Sequence, residues 1–342
     1  MRVAVLGAGG DHKTEASIAR AARALGHRCR LVNVVGLSRY AGPLAGRAIA
    51  WLTDAFAPDF VLLTRHAILA GVPALHRVLR GRNAAFWYFD LQPQPQPQVL
   101  ALGRLVGRMY VTYLAQVERY RAAGIPDVRF LPQGVDPERD APAAEAPSAF
   151  HCDTSFVGSG PYPHRYEVLR AVAAVSRLQI RGPGWEGAPP DLPVVGGPVY
   201  GHRLAQVIRG AAISLGASAR PEQDADRASA SNRMWKILGC GGFYLGPYVR
   251  EIEHFAEGGR HCDWYRSPAE ATELVRHYLA HPDARLRIAE AGRAHALRHH
   301  TYASRLELLL AGRGYELTGT PSDERVVPEL ERPDAGQPLD RP

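Results

Sequence analysis

This sequence lacks long apolar segments and closely spaced cysteines, and it has very little lysine. No apolar run reaches about 18 residues, so a membrane-spanning helix is not expected. The four cysteines, Cys29, Cys152, Cys240 and Cys262, lie far apart without a CxxC pair, which argues against a zinc site and a disulfide framework. The opening MRVAVLGAGG predicts a strand and a turn, without the apolar core and cleavage site of a signal peptide. These absences favour the reducing cytoplasm.

The basic residues are almost all arginine. Lysine and arginine together number 41 against 34 acidic residues, a net charge of +7, yet lysine occurs at Lys13 and Lys236 alone. A basic balance favours anionic ligands such as nucleotides, acidic acceptors, membrane surfaces or nucleic acids. Because the arginines are spread over many predicted helices, a generally basic surface explains the balance as well as a single anion site does.

A dinucleotide fingerprint is also missing. A strand over residues 2–6, the loop GAGGDHKT and a helix over 15–25 predict a βα opening. His12 stands where the third glycine of GxGxxG would be, and no acidic residue ends the second strand at 28–34. A bound NAD or FAD cofactor is therefore not expected. The loop still lies at the carboxyl edge of the sheet, where Asp11 and His12 should face a cleft.

Two further strands of the first half end in polar residues. Strands over 59–63 and 84–89 lead into the sequence TRH, which ends at His66, and into Asp90. Parallel strands end at one edge, where open α/β sheets bind ligands, so these side chains should lie near the first loop. A reaction that needs a general base could take it from this set. The candidate catalytic residues are Asp11, His12, His66 and Asp90.

Proline-rich stretches mark a loop and a domain boundary. In LQPQPQPQ, residues 91–98, alternating prolines disfavour helix and sheet, which predicts either a stiff surface loop or one flank of an acceptor groove. The segment DAPAAEAPS lacks apolar periodicity and has the composition of an interdomain linker. The predicted organisation is a Rossmann-like first domain over 1–140, a linker over 141–150, a second Rossmann-like domain over 151–314 and a disordered tail over 315–342.

The stretch SNRMWKILGCGGFYLG, residues 231–246, predicts an anion-binding helix that leads into a buried strand. A serine or an asparagine can cap the helix start, and a Gly-Gly pair ends the helix. The strand-like AISLGA precedes it, as in a βαβ unit, which puts the helix start at the ligand-binding edge. Arg233 and Lys236 share one face of the first turns. Two cations there would add to the unpaired N–H groups and the positive dipole end of the helix.

Other residues of the second half can complete the same site. The loop SGPYPHR, residues 159–165, follows a strand and allows close approach of backbone to a ligand, and Arg165 offers a fork for phosphate. Trp185 and Tyr200 either stack on a nucleotide base or pack in a core. The candidate ligand-binding residues are Gly158, Ser159, Arg165, Arg181, Trp185, Tyr200, Asn232, Arg233, Lys236 and Gly241.

Several segments together resemble the spore-maturation (CgeB-like) branch of the GT-B glycosyltransferases. They are YRAAGI with VRFLPQGVDPE, DTSFVGS with a following HR, IRGPGW, the R-x-x-K-I-L-G-C-G-G-F block, and the run from SPAEATELVRHYL to HTYASRL, in this order over residues 117–310. The resemblance implies an α/β protein of two Rossmann-like domains facing across a cleft. It implies that the second domain holds a nucleotide-diphosphate sugar without an essential metal and the first an acceptor, and that the last helix crosses back onto the first domain.

One position departs from the family's pattern. Related sequences usually carry Glu where this chain has Lys236, and that Glu is thought to bind ribose or sugar hydroxyls of the donor. Related retaining enzymes carry another Glu at the position of Ala228. An ammonium group pairs with phosphate or carboxylate and cannot accept a hydrogen bond from a hydroxyl. Either other groups hold the ribose, or the donor differs, or the protein binds without turnover.

The sequence therefore predicts a metal-independent, hexosyltransferase-like enzyme that moves a sugar from a nucleotide diphosphate to an acceptor it does not identify. Arginines and helix-start N–H groups would stabilise the departing diphosphate. Transfer with inversion needs one of the candidate bases, whereas retention needs none. The alternatives are an epimerase or hydrolase of nucleotide sugars on the same fold, and a non-catalytic or nucleic-acid-associated binding protein.

Overall fold

The structure, a computed structural model, describes residues 1–92, 94–218, 230–315 and 317. These residues form two compact units, one built from residues 1–136 and 301–315 and the other from the described residues between Pro137 and His300. The division falls just before the predicted linker. No helix within the described ranges is both long enough and apolar enough to cross a bilayer. Ala228 and residues 318–342 of the predicted tail lie outside those ranges.

The first unit contains a parallel sheet of six strands. They are β1 (Arg2–Gly7), β2 (Arg28–Asn33), β3 (Phe60–Leu63), β4 (Asn83–Tyr88), β5 (Arg108–Val111) and β6 (Asp127–Phe130). Their order in the sheet is β2-β1-β3-β4-β5-β6. The direction of strand addition reverses beside β1, and open α/β sheets bind ligands in the crevice at such a point.

The second unit repeats this design. Its strands are β7 (Cys152–Val157), β8 (Leu178–Arg181), β9 (Val194–Gly196), β10 (Ala211–Leu215), β11 (Tyr244–Pro247) and β12 (Asp263–Tyr265). They are parallel in the order β12-β11-β10-β7-β8-β9, so the corresponding crevice lies between β7 and β10.

Helices connect the strands of both units. Short 3-10 helices add to them, among them Gly42–Leu44 and Arg65–Ala70. The α-helices are α1 (Thr14–Ala24), α2 (Val34–Ala41), α3 (Ala45–Phe56), α4 (Val72–Leu79), α5 (Pro97–Val106), α6 (Gln116–Ala122), α7 (Tyr166–Ala173), α8 (His202–Gly210), α9 (Asn232–Gly239), α10 (Pro268–Ala280), α11 (Pro282–His299) and α12 (Tyr302–Leu310).

Both cores follow from near-continuous apolar strands. The runs VAVL in β1, FVLL in β3 and AFWY in β4 are buried, as strands covered by helices on both faces must be. In the first unit these strands pack against α1 and α12, and the side chain of Arg305 in α12 is fully buried with its Nε donating to the carbonyl of Pro132 at 3.1 Å. In the second unit Phe156, Ile180, Ile213 and Leu245 form the centre of the core.

Several elements differ from the sequence prediction for local reasons. The helix predicted near 251–257 is a single 3-10 turn, Ile252–His254. Helix α5 begins at Pro97, inside the segment predicted as an extended loop, because proline is well suited to the first position of a helix. Pro93 of that segment lies outside the described residues. The short edge strand β9 was not predicted, since it is only half-buried and has three residues.

The four cysteines are free thiols. Burial raises the pKa of Cys29 and of Cys152 to about 11 and that of Cys240 to about 12. It raises the pKa of Cys262 as well. Each thiol therefore stays protonated and unreactive near neutral pH.

Candidate functional site

In the first unit, a buried carboxylate lies where β1 and β3 end. Oε1 of Glu15 accepts hydrogen bonds from the Ala8 N–H at 3.1 Å and from Thr64 Oγ1 at 2.8 Å, and lies 3.2 Å from His66 Nδ1. Burial alone would raise the pKa of Glu15, but the hydrogen bonds from His66, Ala8 and Thr64 outweigh it and lower the pKa. The ionised carboxylate therefore holds the proton of His66 on Nδ1 and leaves Nε2 as the acceptor.

Glycine is required beside this carboxylate. A Cβ added at Gly7 would lie 2.4 Å from Thr64 Oγ1 and 2.7 Å from Glu15 Oε1. Neither partner can retreat without breaking its hydrogen bond, because both are buried. The glycine loop therefore serves the Glu15 site through close packing, although it lacks the dinucleotide fingerprint.

Arg65 links the two candidate bases His66 and Asp90. Its Nε donates to His66 Nε2 at 3.4 Å, and its Nη1 forms a short ion pair with Asp90 Oδ2. The backbone carbonyl of Asp90 also accepts a hydrogen bond from Gln116 Nε2 at 3.1 Å. Because Arg65 compensates the charge of Asp90, the imidazole Nε2 of His66 is the stronger candidate for accepting a proton.

A cavity of about 220 Å³ opens beside this pair. Arg65, His66 and Asp90 supply its polar wall. Three glutamines of the proline-rich segment, Gln92, Gln96 and Gln98, contribute another part of the lining, so this segment flanks a cavity rather than forming an isolated surface loop. The remaining lining is apolar and comes from Ile68, Leu69, Phe86, Tyr88, Val99 and Leu102.

The other two candidate bases of the first unit lie elsewhere in the loop after β1. Asp11 Oδ1 pairs with Arg20 Nη1 at 2.7 Å, and Arg20 Nη2 also contacts Asp136 Oδ2 at 2.6 Å. Asp11 is thus one acid of a charge network around Arg20. His12 is exposed in the same loop. Neither Asp11 nor His12 lines the cavity that contains His66 and Asp90.

Replacement of Glu15 by glutamine should destabilise the fold in a pH-dependent way. At pH 7 we expect a loss of about 1–3 kcal/mol in the free energy of unfolding, because the amide replaces a charged acceptor of three hydrogen bonds. A carboxyl whose pKa is lowered on folding stabilises above its unfolded pKa, near 4.3, and this contribution is lost as pH falls through the folded pKa. The difference between Glu15→Gln and wild type should therefore shrink on acidification.

Urea denaturation at pH 7 and at about pH 3 measures this difference. Glu118→Gln is the control, because Glu118 is 79% exposed in its ion pair with Arg121 and should change stability by less than about 0.5 kcal/mol. A Glu15→Gln loss of equal size at both pH values would contradict the assignment of an ionised carboxylate.

In the second unit, two guanidinium groups lie at the crevice between β7 and β10. Arg233 of α9 donates from Nε to the Val157 carbonyl at 2.7 Å and from Nη1 to the Ala217 carbonyl at 3.2 Å. Arg165 contacts the carbonyl of Ser159 closely and that of Ser218 at 3.5 Å. Val157 is the last residue of β7 and Ala217 follows the end of β10 by two residues, so the guanidinium of Arg233 spans the crevice itself.

Both guanidinium groups lie against one aromatic ring. The Cζ atoms of Arg165 and Arg233 are 5.3 Å and 4.6 Å from the ring centre of Phe156. Arg165 is 3% exposed. Burial, and after it the neighbouring charge of Arg233, lowers the pKa of Arg165 to about 9. A buried cation whose charged form is disfavoured to this degree favours the approach of an anion.

The glycine after β7 leaves the space that Arg233 occupies. A Cβ added at Gly158 would lie 2.4 Å from Arg233 Nη2 and 2.8 Å from Cζ of Phe156. Arg165, Ser218 and Tyr265 belong to the lining of a cavity of about 90 Å³. The backbone at Gly158 and Ser159, the arginine pair and the start of α9 therefore meet at one edge.

The start of α9 is capped as the sequence predicts. Ser231 Oγ accepts a hydrogen bond from the Met234 N–H at 3.2 Å, which makes Ser231, rather than Asn232, the N-cap. Gly241 follows the other end of the helix with φ of 76°, where a left-handed conformation favours glycine. At 1.5 Å per residue that end is about 12 Å from the helix start, so Gly241 acts as a helix stop.

Lys236 is held by an acid of its own unit. Its Nζ lies 3.2 Å from Asp140 Oδ1, and the side chains are 24% and 5% exposed. Asp140 belongs to the segment predicted as linker, so a carboxylate accompanies the lysine at the position where related sequences carry Glu. The charge of Lys236 is thus already compensated, whereas no acid of the residues that the structure describes pairs with Arg165.

The remaining candidates have packing roles or exposed positions. Trp185 is buried, donates from Nε1 to the Gly158 carbonyl at 2.9 Å and packs edge-on against Phe156, which supports the core alternative. Arg181 donates to the Ala149 carbonyl at 3.2 Å and lies over the ring of Phe150. Tyr200 is 51% exposed.

Glu15 and Phe156 are not among the residues that the sequence indicates. Glu15 is the first residue of the predicted helix over 15–25, and an acid in the first turn of a helix is common. A glutamate that directly follows a glycine loop after a strand is a signal that could have identified it. Phe156 has an alternating position within an apolar strand, and nothing in the sequence distinguishes it from other core aromatics.

Residues 165–311 match a family model described as "Glycosyl transferase-like". The match begins at Arg165 and includes Arg233 and Lys236, but covers less than half of the chain. No curated protein sequence matched the chain.

Three solved structures resemble the chain over 91% of its length. An alpha-glucosyltransferase in complex with UDP gives a TM-score of 0.67 at 9% identity, with 99% of that chain covered. Anabaena Alr3699/HepE in complex with UDP and glucose gives 0.63 at 12% identity, with 98% covered. Sucrose-phosphate synthase of Thermosynechococcus elongatus gives 0.63 at 13% identity, also with 98% covered. At these identities the likeness establishes the fold, and the predicted GT-B fold is confirmed.

Proposed function

We propose that the protein is a glycosyltransferase that takes a sugar, a hexose, from a UDP-sugar donor to an acceptor. One observation carries this proposal: Arg165 and Arg233 bring two guanidinium groups onto the Phe156 ring at the crevice of the second sheet. The family match over residues 165–311 supports transferase chemistry for this unit. The finer assignment to the spore-maturation (CgeB-like) branch rests on the sequence motifs and belongs to the proposal.

A diphosphate is the anion that best suits this edge. Glycosyl transfer from a nucleotide sugar releases a nucleoside diphosphate, and its developing negative charge needs fixed donors and cations. Arg165 and Arg233 supply two cations, and the start of α9 and the Gly158 loop supply backbone N–H groups. These groups would stabilise the leaving diphosphate without a metal ion. The pair Asp224 and Asp226 has Asp-x-Asp spacing but lies outside the described residues, so metal independence remains a prediction.

UDP is the proposed nucleotide because of the structural neighbours. The alpha-glucosyltransferase and Anabaena Alr3699/HepE were both solved with UDP. In this chain the carboxylate nearest to Lys236 is Asp140, and we propose that Asp140 offers the hydroxyl acceptor that Lys236 itself cannot provide. The free cysteines agree with the cytoplasmic location that we propose.

The cavity beside His66 is the proposed acceptor site. Its polar wall can hold a hydroxyl against His66 Nε2 in place of the long 3.4 Å contact from Arg65 Nε, and Glu15 orients the imidazole from the opposite nitrogen. In an inverting transfer His66 would take the proton of the acceptor hydroxyl. In a retaining transfer the same imidazole would position the hydroxyl, and the leaving phosphate would take the proton.

Product analysis tests the proposal. The protein is incubated with the glucose conjugates of UDP, GDP, TDP, CDP and ADP, with and without a panel of sugar, peptide and nucleic-acid acceptors. We expect UDP release and a glycosylated product in the presence of an acceptor. Free sugar or an epimer formed from donor alone would identify a hydrolase or epimerase instead. Absence of turnover with every donor would leave a binding protein and contradict the proposal.

Substitution of Gly158 by alanine should displace Arg233 and also lower the stability of the second unit. The added Cβ would lie 2.4 Å from Arg233 Nη2 and 2.8 Å from Cζ of the buried Phe156, so the guanidinium and the ring must both move. We expect the affinity for UDP to fall about tenfold, the loss of roughly one hydrogen bond to a charged group, together with a lower melting temperature. Calorimetric titration with UDP measures the affinity of Gly158→Ala and of a control variant. Gly197→Ala is the control, since a Cβ at Gly197 meets no atom within 4 Å, and an effect of equal size there would refute the assignment.

A further inference from the structure

Large apolar side chains are exposed together on one part of the first unit. Tyr40 is 82% exposed, Trp51 65%, Leu44 60%, Val72 52% and Leu69 51%. These five residues are called the apolar face below. Scattered single exposures are normal for a globular protein, but a contiguous group of large side chains marks an interaction site.

The packing of the helices brings four of these residues together, and Trp51 lies two turns further along α3. Ser38 Oγ of α2 donates to the Leu69 carbonyl at 3.3 Å, so the end of α2 lies beside the 3-10 helix Arg65–Ala70. A Cβ added at Gly46 would lie 2.8 Å from the Ala70 carbonyl, so the start of α3 lies against the end of the same 3-10 helix. Tyr40, Leu44, Leu69 and Val72 therefore surround one junction.

Helix α3 carries the large apolar Trp51 on its exposed side next to Arg47, and Leu44 lies in the 3-10 helix just before it. The buried residues of α3 are Ala45, Ile49, Ala50 and Thr53. Leu44 and Trp51 are seven residues apart, which returns to the same side of a helix after two turns. A surface helix normally carries polar residues opposite its buried stripe, so an outward pair of leucine and tryptophan indicates a partner.

The charges around the apolar face are of one sign. Between Val34 and Arg82 the acidic residues are Asp54 and Asp59. Asp54 pairs with Arg77 and Arg82, both at 3.0 Å, and Asp59 pairs with Arg2 at the opposite edge of the sheet. Arg39 and Arg47 are exposed on α2 and α3, and no ion pair involves them among the residues that the structure describes.

This combination selects an anionic lipid surface over a second copy of the chain. Tryptophan and tyrosine favour the boundary between lipid headgroups and acyl chains, and arginine pairs with lipid phosphate. A two-fold contact would bring each face against itself, so Arg39 and Arg47 would approach their own symmetry mates without acids to pair with them. A bilayer with anionic headgroups satisfies both the apolar and the basic groups.

We propose that the apolar face docks the protein on an anionic lipid bilayer, with Trp51, Leu44 and Tyr40 inserted at headgroup level and Arg39 and Arg47 on phosphates. Leu69 belongs both to this face and to the lining of the cavity beside His66. Docking would therefore hold the mouth of that cavity close to the lipid surface. The proposal rests on the first unit alone and does not require transferase activity.

Trp51 provides a specific signal for the test. The chain has five tryptophans, and Trp87, Trp185, Trp235 and Trp264 are at most 7% exposed. On addition of vesicles of phosphatidylcholine with phosphatidylglycerol, we expect the tryptophan emission to shift to the blue and to be quenched by brominated acyl chains. The signal should be lost in Trp51→Phe, which keeps an aromatic ring on the surface and should keep vesicle binding.

Cosedimentation with the same vesicles measures how much the apolar and the basic side chains each contribute to vesicle binding. The double variant Trp51→Ser with Leu44→Ser should weaken vesicle binding by about tenfold or more. The double variant Arg39→Gln with Arg47→Gln should also weaken binding by about tenfold or more, but only to vesicles that contain anionic lipid. Leu286→Ser is the matched control, because Leu286 is 59% exposed on α11 of the second unit. Melting temperatures show that each variant is folded.

Three results would overturn the proposal. They are no binding of wild type to anionic vesicles, an equal loss of binding in Leu286→Ser, and a wild-type dimer that Trp51→Ser converts to a monomer without any lipid effect. The last result would assign the apolar face to a second copy of the chain.

Discussion

Replacement of Arg165 and Arg233 by methionine should weaken UDP binding by about a hundredfold or more. Each guanidinium can form a charge-assisted hydrogen bond with the diphosphate, and removal of two such bonds costs about 3–6 kcal/mol. Arg165 is expected to carry the larger share, because it is 3% exposed and burial disfavours its charged form, so that it gains more than Arg233 from pairing with an anion. Titration calorimetry with UDP measures the loss.

The same experiment has an internal check on stability. Burial lowers the pKa of Arg165 to about 9, so the charged form is disfavoured by folding and an apolar replacement removes that cost. Arg165→Met should therefore lose binding while its melting temperature falls by no more than about 2 °C. A large loss of binding with little loss of stability is typical of a functional residue. A variant that binds UDP normally would remove the donor-site assignment.

Two controls separate this site from the general basic character of the chain. Arg170→Met removes an exposed arginine of α7 that pairs with Asp191 at 2.6 Å, and should leave UDP affinity unchanged. Lys236→Met should weaken binding less than Arg165→Met does, because Asp140 already compensates the lysine. A Lys236→Met loss larger than that of Arg165→Met would show that the lysine, despite its ion pair, is the main diphosphate ligand.

Replacement of His66 by alanine should lower the turnover number by about a hundredfold to ten-thousandfold if His66 acts as the base. Affinity for UDP should not change, because the donor residues lie in the other unit. The measurement is the rate of UDP release from UDP-glucose with the acceptor that product analysis identifies. His76→Ala is the matched control, since His76 is exposed on α4 and does not line the cavity.

The variant Glu15→Gln tests whether His66 acts as a base or only occupies space in the cavity. Loss of the carboxylate removes the group that fixes the proton on His66 Nδ1, so the pH dependence of turnover should shift along with its rate. His66→Gln, which can hydrogen-bond but cannot take a proton near neutral pH, should be as slow as His66→Ala in an inverting enzyme. Near-normal turnover in His66→Gln would assign a positioning role and favour retention.

The sheets could be predicted because their strands carry strong local signals. Runs such as FVLL and AAFWY, each followed by polar residues and a helix with clear periodicity, indicate buried parallel strands. The helix Asn232–Gly239 was located by its serine cap and its glycine stop. The motif order over residues 117–310 led to the GT-B fold, which the structural neighbours confirm.

Other elements escaped prediction because tertiary contacts decide them. Helix α2 follows β2 directly and is capped by Asn33, whose Oδ1 accepts from the Gly36 N–H at 2.9 Å and from the Gly9 N–H at 2.9 Å. One side chain thus joins two loops that are far apart in sequence. Strand β9 has three residues and exists through its pairing with β8.

The sequence predicts at which edge of each sheet the site residues lie, but not which side chains pair with them. Parallel strand order alone places Arg165, Arg233, His66 and Asp90 at carboxyl edges. The sequence could not show that Asp140 pairs with Lys236, or that Glu15 lies behind His66, because these pairs are 96 and 51 residues apart. Lys236 was predicted to be a phosphate ligand because the sequence does not reveal its ion pair with Asp140.

A crystal structure of the protein with UDP would show whether Arg165 and Arg233 hold the diphosphate. We expect diphosphate oxygens to lie about 3 Å from guanidinium nitrogens of both arginines, over the Phe156 ring and beside Gly158. UDP bound elsewhere, with both arginines still on the carbonyls of residues 157, 159 and 217, would contradict this expectation.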